Sequence, residues 1–143
     1  MIRIELVGEP KGKGRHRYVR ATGHTYTPAG TRSYEAALRY AAQEAMAGAA
    51  PLEGALSLRV EAYLPIPASR PKKWKLQAAM ALVRPTTKPD FDNILKTMDA
   101  LNTVVWRDDA QVVSVFFTKL YSERPRLLVS VWPVTETVKA VAA

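Results

Sequence analysis

Residues 2–7 alternate, with Ile2, Ile4 and Leu6 set against Arg3 and Glu5. A period of two predicts a half-buried strand. Residues 55–64 repeat the pattern, with Leu56, Leu58, Val60, Ala62 and Leu64 against Ser57, Arg59 and Glu61. Between these strands the period changes. From Tyr34 to Ala47 the chain is Ala-rich, and Tyr34, Leu38, Ala41, Ala45 and Met46 recur at helical spacing. Thr31 and Ser33 are candidate N-caps, and Gly48 and Pro51 end the helix. After "PIPASRP", residues 71–82 read as a second helix with Trp74, Ala78 and Leu82 on one side. "VRPTTKPD" resets the chain, and a third helix is predicted from Phe91 to Asn102. "QVVSVFFTKL" and "LLVSVW" read as strands, and the turn "YSERPR" between them predicts an antiparallel hairpin. Residues 11–20 are Gly-broken and read as a loop. The order β-α-β-α-α-β-β predicts an α/β or α+β fold: a single small domain over 1–143, with one mixed sheet packed by helices and a tail from 133.

Composition narrows the class. A chain of 143 residues, 48% hydrophobic and 24% charged, suits one globular domain. There is no cysteine, which removes disulfide frameworks, thiolate zinc sites and cysteine nucleophiles. "MIRIELVGEP" does not read as a secretory signal, and no apolar run approaches the length of a membrane span. A cytoplasmic protein with no membrane partner is expected.

Charge changes the picture more. Lys and Arg outnumber Asp and Glu by 21 to 13, for a formal net charge of +8. Such a field favours polyanions. The basic residues cluster in two places. One holds Lys11, Lys13, Arg15, Arg17 and Arg20 around His16 and Tyr18; the other holds Arg70, Lys72, Lys73 and Lys75 around Trp74. The first lacks the apolar face of a membrane anchor, so nucleic acid is the better partner. His16 and His24 read as loop residues, and Trp74, Trp106 and Trp132 as packing residues.

Against this basic body, "KPDFDNILKTMDALN" and "RDDAQ" gather acid. On a helix over 91–102, Asp92, Lys96 and Asp99 fall within one arc, while Ile94, Met98 and Leu101 face away toward a core and Leu95 sits at the border. If residues 89–92 are extended, Asp90 and Asp92 point the same way and Phe91 points into the core. Asp108 and Asp109 lead into a strand, which can bring one of them to Asp90 and Asp92. Converging carboxylates need a cation or protons between them, and oxygen ligands alone suit Mg²⁺. Plainer uses stand beside this reading. Asp90 can be a cap, Asp92 a first-turn acid, Lys96 its i+4 partner, and Asp108-Asp109 a solvated turn.

The spaced residues Pro89, Asp90, Asp92, Asn93 and Lys96, then Asp99-Ala100-Leu101, then Asp108-Asp109-Ala110-Gln111 and a strand ending at Lys119, resemble the core signature of RusA-type Holliday junction resolvases, common in phages and prophages. "GEPKGKGRHR" and "YTPAGTRSYE" are similar to the opening of the phage-type members. The resemblance spans Ile2 to about Trp132. It implies a homodimeric, Mg²⁺-dependent endonuclease (Mn²⁺ as a substitute) that cuts four-way DNA junctions by paired nicks in recombination and repair. It implies Asp90, Asp92 and Asp109 as metal-binding catalytic carboxylates, Lys96 as the catalytic lysine, and Asp108 just below them. Asp99 is expected as a supporting residue. Lys11, Lys13, Arg15, Arg17, Arg20, Lys72, Lys73, Lys88 and Lys119 are the expected DNA contacts. The setting implied is the cytoplasm of a bacterial or phage-infected cell. Two alternatives stay open: a nuclease acting mainly on flaps or forks, and a non-catalytic protein that binds branched DNA.

Overall fold

The computed structural model describes residues 1–15, 17–26 and 28–136, and of Arg17 the backbone alone. His16 and the end of the tail, 137–143, lie outside the described residues. The N-terminal alternation forms strand β1 (Ile2–Val7), with Ile4 fully inside. The second alternation forms β4 (Leu56–Pro65), whose Leu56, Leu58, Val60, Ala62 and Leu64 are all buried. β5 (Val112–Ser122) and β6 (Arg126–Pro133) follow late in the chain. The four make one mixed sheet in the order β1-β6-β4-β5, so the fold is a small α+β domain.

The expected β5–β6 hairpin does not form. β4 lies between them, antiparallel to β6 and parallel to β5. Adjacency along the chain suggested the hairpin, but burial decided the order. β4 is the strand with the most complete apolar face, and it takes the centre. Its parallel pairing with β5 needs a long crossover. The helices α2 (Lys72–Ala79) and α3 (Phe91–Lys96) lie in that crossover. The link after Ser122 only has to step across one strand, about 10 Å, which a few extended residues span.

Residues 11–20 are not all loop. Arg17–Val19 (β2) pairs with His24–Tyr26 (β3) in a small antiparallel hairpin, so His24 is a strand residue. Helix α1 (Ala29–Met46) starts earlier than predicted. Pro28 occupies the N-cap position, and Thr31 and Ser33 lie inside the helix. Pro28 serves as the boundary because its fixed φ suits a helix entry. The Thr31 hydroxyl is then free for a tertiary contact, accepting a bond from the Gly14 N–H at 3.0 Å.

α1 puts Leu38, Ala42 and Met46 against the sheet. Ile94, Met98 and Leu101 fill the same core, as their spacing predicted, with Val105 and the fully buried Trp106. α2 ends at Ala79, before a left-handed Ala81, so Leu82 is not on its inner face and is 69% exposed. Trp74 packs edge-on against Tyr121 at 5.4 Å. Among the described residues no helix is long and apolar enough to cross a membrane.

Candidate active site

The acidic segment begins where the chain enters α3. Asp90 holds the N-cap position with extended backbone, yet its side chain makes no capping bond. Asp92 follows in the first turn, and Lys96 Nζ lies 4.0 Å from Asp92 Oδ2. Both side chains are more than half exposed, so this pair is loose and solvent-screened. The segment then tightens into a 3-10 turn over Thr97–Leu101, where the buried Thr97 hydroxyl donates to the Ile94 carbonyl at 2.6 Å. Phe91 does not enter the core: it is 60% exposed, its ring 6.2 Å from that of Phe117. The backbone is already helical at Phe91, so it does not oppose its neighbours as a strand residue would.

Asp90, Asp92, Lys96 and Asp99 line one cavity of about 420 Å³, closed on another side by Lys13 and Arg15. The basic loop is therefore laid directly on the acidic helix. The Lys13 N–H donates to the Asn93 carbonyl at 2.8 Å. A Cβ on Gly12 would meet Asn93 Cβ at 2.9 Å, and one on Gly14 would meet Thr31 Oγ1 at 2.8 Å. Only glycine allows so close an approach at these two positions. Lys13 Nζ points inward, donating to Asp99 Oδ2 at 3.2 Å and pairing with Glu35 Oε1 at 3.3 Å without hydrogen-bond alignment. Burial pulls the Lys13 ammonium toward neutrality, but Asp99 and Glu35 outweigh it and hold its pKa above the usual lysine value. Sequence reasoning missed Glu35. Its signal was faint: it stands one turn after Thr31 on α1.

The second acidic stretch is a built turn. Asp108 caps a short 3-10 helix (Asp109–Gln111), its Oδ1 accepting from the Ala110 N–H at 3.0 Å. Gln111 answers it: Oε1 accepts from the Arg107 and Asp108 N–H groups at 2.9 and 3.3 Å. Its amide nitrogen donates to the carbonyls of Leu52 and Gly54 at 2.9 and 3.1 Å. The Ala110 N–H, then Asp109, hold the Asp108 carboxyl below its ordinary range. Asp109 is pushed the other way by Asp108, with burial and Asp99 adding to it. Asp109 lines a separate pocket with Leu95, Met98 and Trp106, so it does not share the cavity of Asp90, Asp92 and Asp99 as the sequence suggested it could.

The acids are thus divided between two places, Asp90, Asp92 and Asp99 in one cavity and Asp109 in another, and do not ring one point. Among the described residues no three acidic or histidine side chains are grouped as a ready metal cage. The donors are nonetheless all carboxylate oxygens, and like charges are held side by side at Asp109. That suits a hard cation of the Mg²⁺ kind, which takes one or two carboxylates and completes its shell with water and substrate phosphate.

Residues 7–132 match the family model described as Endodeoxyribonuclease RusA. The chain belongs to the RusA endodeoxyribonuclease family. It is 37% identical over 135 residues to a Bacillus subtilis (strain 168) protein named "Uncharacterized protein YqaN", covering 91% of this chain and 94% of that one. The matched span includes the basic loop, the acidic helix and the Asp108–Gln111 turn.

Around the RusA acids, the expected DNA contacts divide. Lys11, Arg15, Arg20, Lys72, Lys73 and Lys88 are exposed. Lys11 and Lys88 flank a second cavity of about 430 Å³ that shares Lys13, Asp90 and Asn93 with the first. Lys119 is engaged elsewhere: its ammonium donates to the Thr87 carbonyl, tying β5 to the segment that leads into Asp90. The Arg17 side chain is outside what the structure describes.

Proposed function

We propose that this chain is a divalent-cation-dependent endonuclease that resolves four-way DNA junctions by paired nicks, acting as a homodimer. The observation that carries the reading is the cavity where Asp90, Asp92, Asp99 and Lys96 meet a basic loop. Family membership supports the same reading.

Asp90, Asp92 and Asp109 would hold Mg²⁺, with Mn²⁺ as a substitute. The bound ion supplies an acidified water and neutralises charge at the scissile phosphate. Asp90 is suited to this because its carboxylate is not spent on capping. Asp108 differs: one of its oxygens is committed to the turn that aims Asp109. Lys96 is held only loosely by Asp92, so its ammonium can turn to a phosphate oxygen and stabilise charge developing there. Lys11, Arg15 and Lys88 border the acids and suit the flanking phosphates, contacts that position DNA and carry little sequence information. Two copies related by a two-fold axis would present two equivalent sites to a two-fold junction, giving matched cuts.

The test is Asp92→Asn, which removes charge and almost no volume. Cleavage of a four-way junction should fall to background while binding of the same junction persists. Loss of binding along with cleavage would make Asp92 a structural residue and count against the reading.

A further inference from the structure

We infer that Lys13 is a positioning residue of the nuclease site and not a phosphate contact: through Asp99 it orders the cavity that Asp90 and Asp92 line. The inference rests on the proposed nuclease reading and assigns a role to a lysine that the sequence groups with the DNA-gripping residues.

Three elements converge on Lys13. Its own N–H is bonded to the Asn93 carbonyl of α3 at 2.8 Å. The next N–H, of Gly14, is bonded to the Thr31 hydroxyl of α1 at 3.0 Å. The flanking glycines leave no room for a Cβ on either side, so the backbone is pressed flat against both helices. From this fixed base the side chain runs inward and is only 19% exposed, whereas its neighbours Lys11 and Arg15 are exposed. Its ammonium reaches Asp99 of the 3-10 turn at 3.2 Å and Glu35 of α1 at 3.3 Å.

Turning this ammonium out to a phosphate would break both pairs. Glu35 Oε1 is buried and has no hydrogen-bond partner among the described residues, so Lys13 is the countercharge it has. Stranding a shielded carboxylate costs more than a surface phosphate contact returns. Asp99 shares its cavity with two groups of its own sign, Asp90 and Asp92. Lys13 offsets that repulsion and fixes Asp99 on the wall beside them. The arrangement orders the site before DNA arrives, which bears on turnover and not on grip.

The experiment compares wild type, Lys13→Met, Lys11→Met and Glu35→Gln. Junction affinity is measured in EDTA over a range of salt, and the single-turnover cleavage rate is measured at saturating protein with Mg²⁺. Lys13→Met should lower the saturated rate by about tenfold or more, in the range seen for groups that orient ligands. Its slope of log Kd against log salt should match wild type. Lys11→Met should make that slope shallower by about one, as losing one phosphate contact does. Glu35→Gln should lower the saturated rate several-fold in the direction of Lys13→Met and leave the slope alone. A Lys13→Met slope shallower by about one, or a normal saturated rate, overturns the inference. If Lys13→Met does not fold by circular dichroism, Glu35→Gln leaves the loop intact and decides by the same two numbers. If wild type cuts no branched DNA, the nuclease reading fails on its own, and the salt slopes still separate an internal lysine from a phosphate-bound one.

Discussion

Asp108 and Asp109 carry the same side chain in opposite circumstances. The first accepts a backbone N–H and has its pKa lowered; the second has its pKa raised, by Asp108 first and then by burial and Asp99. Asparagine caps as well as aspartate, so Asp108→Asn should keep the turn. Asp109→Asn should cost far more cleavage than Asp108→Asn, a ranking that parallel nicking assays on the two variants check. The raised Asp109 pKa also sets a direction with pH. In the metal-free protein the Asp109 carboxyl should therefore titrate above pH 3.8, the ordinary aspartate value, and Mg²⁺ should pull it down if Asp109 is a ligand; its carboxyl NMR shift followed with pH checks both. At this scale the sequence was most legible where one helix carries the residues. The grouping of Asp92, Lys96 and Asp99 and the burial of Ile94, Met98 and Leu101 match 100° steps, even though the chain tightens to a 3-10 turn from Thr97. The Lys13–Glu35 pair did not show, because it joins a loop to a helix through tertiary packing that no local period records.

Elements were legible as kinds and less so as neighbours. Each predicted strand and helix exists, with shifted ends, because alternation and 3.6-residue spacing mark burial directly. Pairing order is a property of the whole sheet, and β4 between β5 and β6 was decided by which strand buries most. The β2–β3 hairpin was hidden because its strands are three residues long and β3 is exposed throughout. Two predictions belong here. Trp106 is fully buried, with its indole N–H on Asn102 Oδ1 at 2.6 Å. Trp106→Ala should cost about 3–5 kcal/mol in urea unfolding. Gly14→Ala forces a Cβ to 2.8 Å from Thr31 Oγ1. It should cost about 1–3 kcal/mol by the same measurement, as overpacked positions do, and should lower cleavage because the loop it lifts carries Lys13.

The molecule as a whole is basic, and three of its aspartates, Asp90, Asp92 and Asp99, line one cavity beside Lys13 and Arg15 of the basic loop. Under the proposed function, grip and chemistry are thereby separated. Exposed cations around the cleft should give junction binding that needs no metal and weakens linearly in log Kd against log salt. Cleavage should need the metal. The measurement that tests this most directly is nicking of end-labelled four-way junctions, beside linear duplex, flap and fork controls, in Mg²⁺ and in EDTA. Paired, symmetric cuts near the crossover are expected in Mg²⁺, none in EDTA, and binding in both. Junction binding without cuts in Mg²⁺ or Mn²⁺ would contradict it and leave a protein that holds branched DNA on a RusA fold.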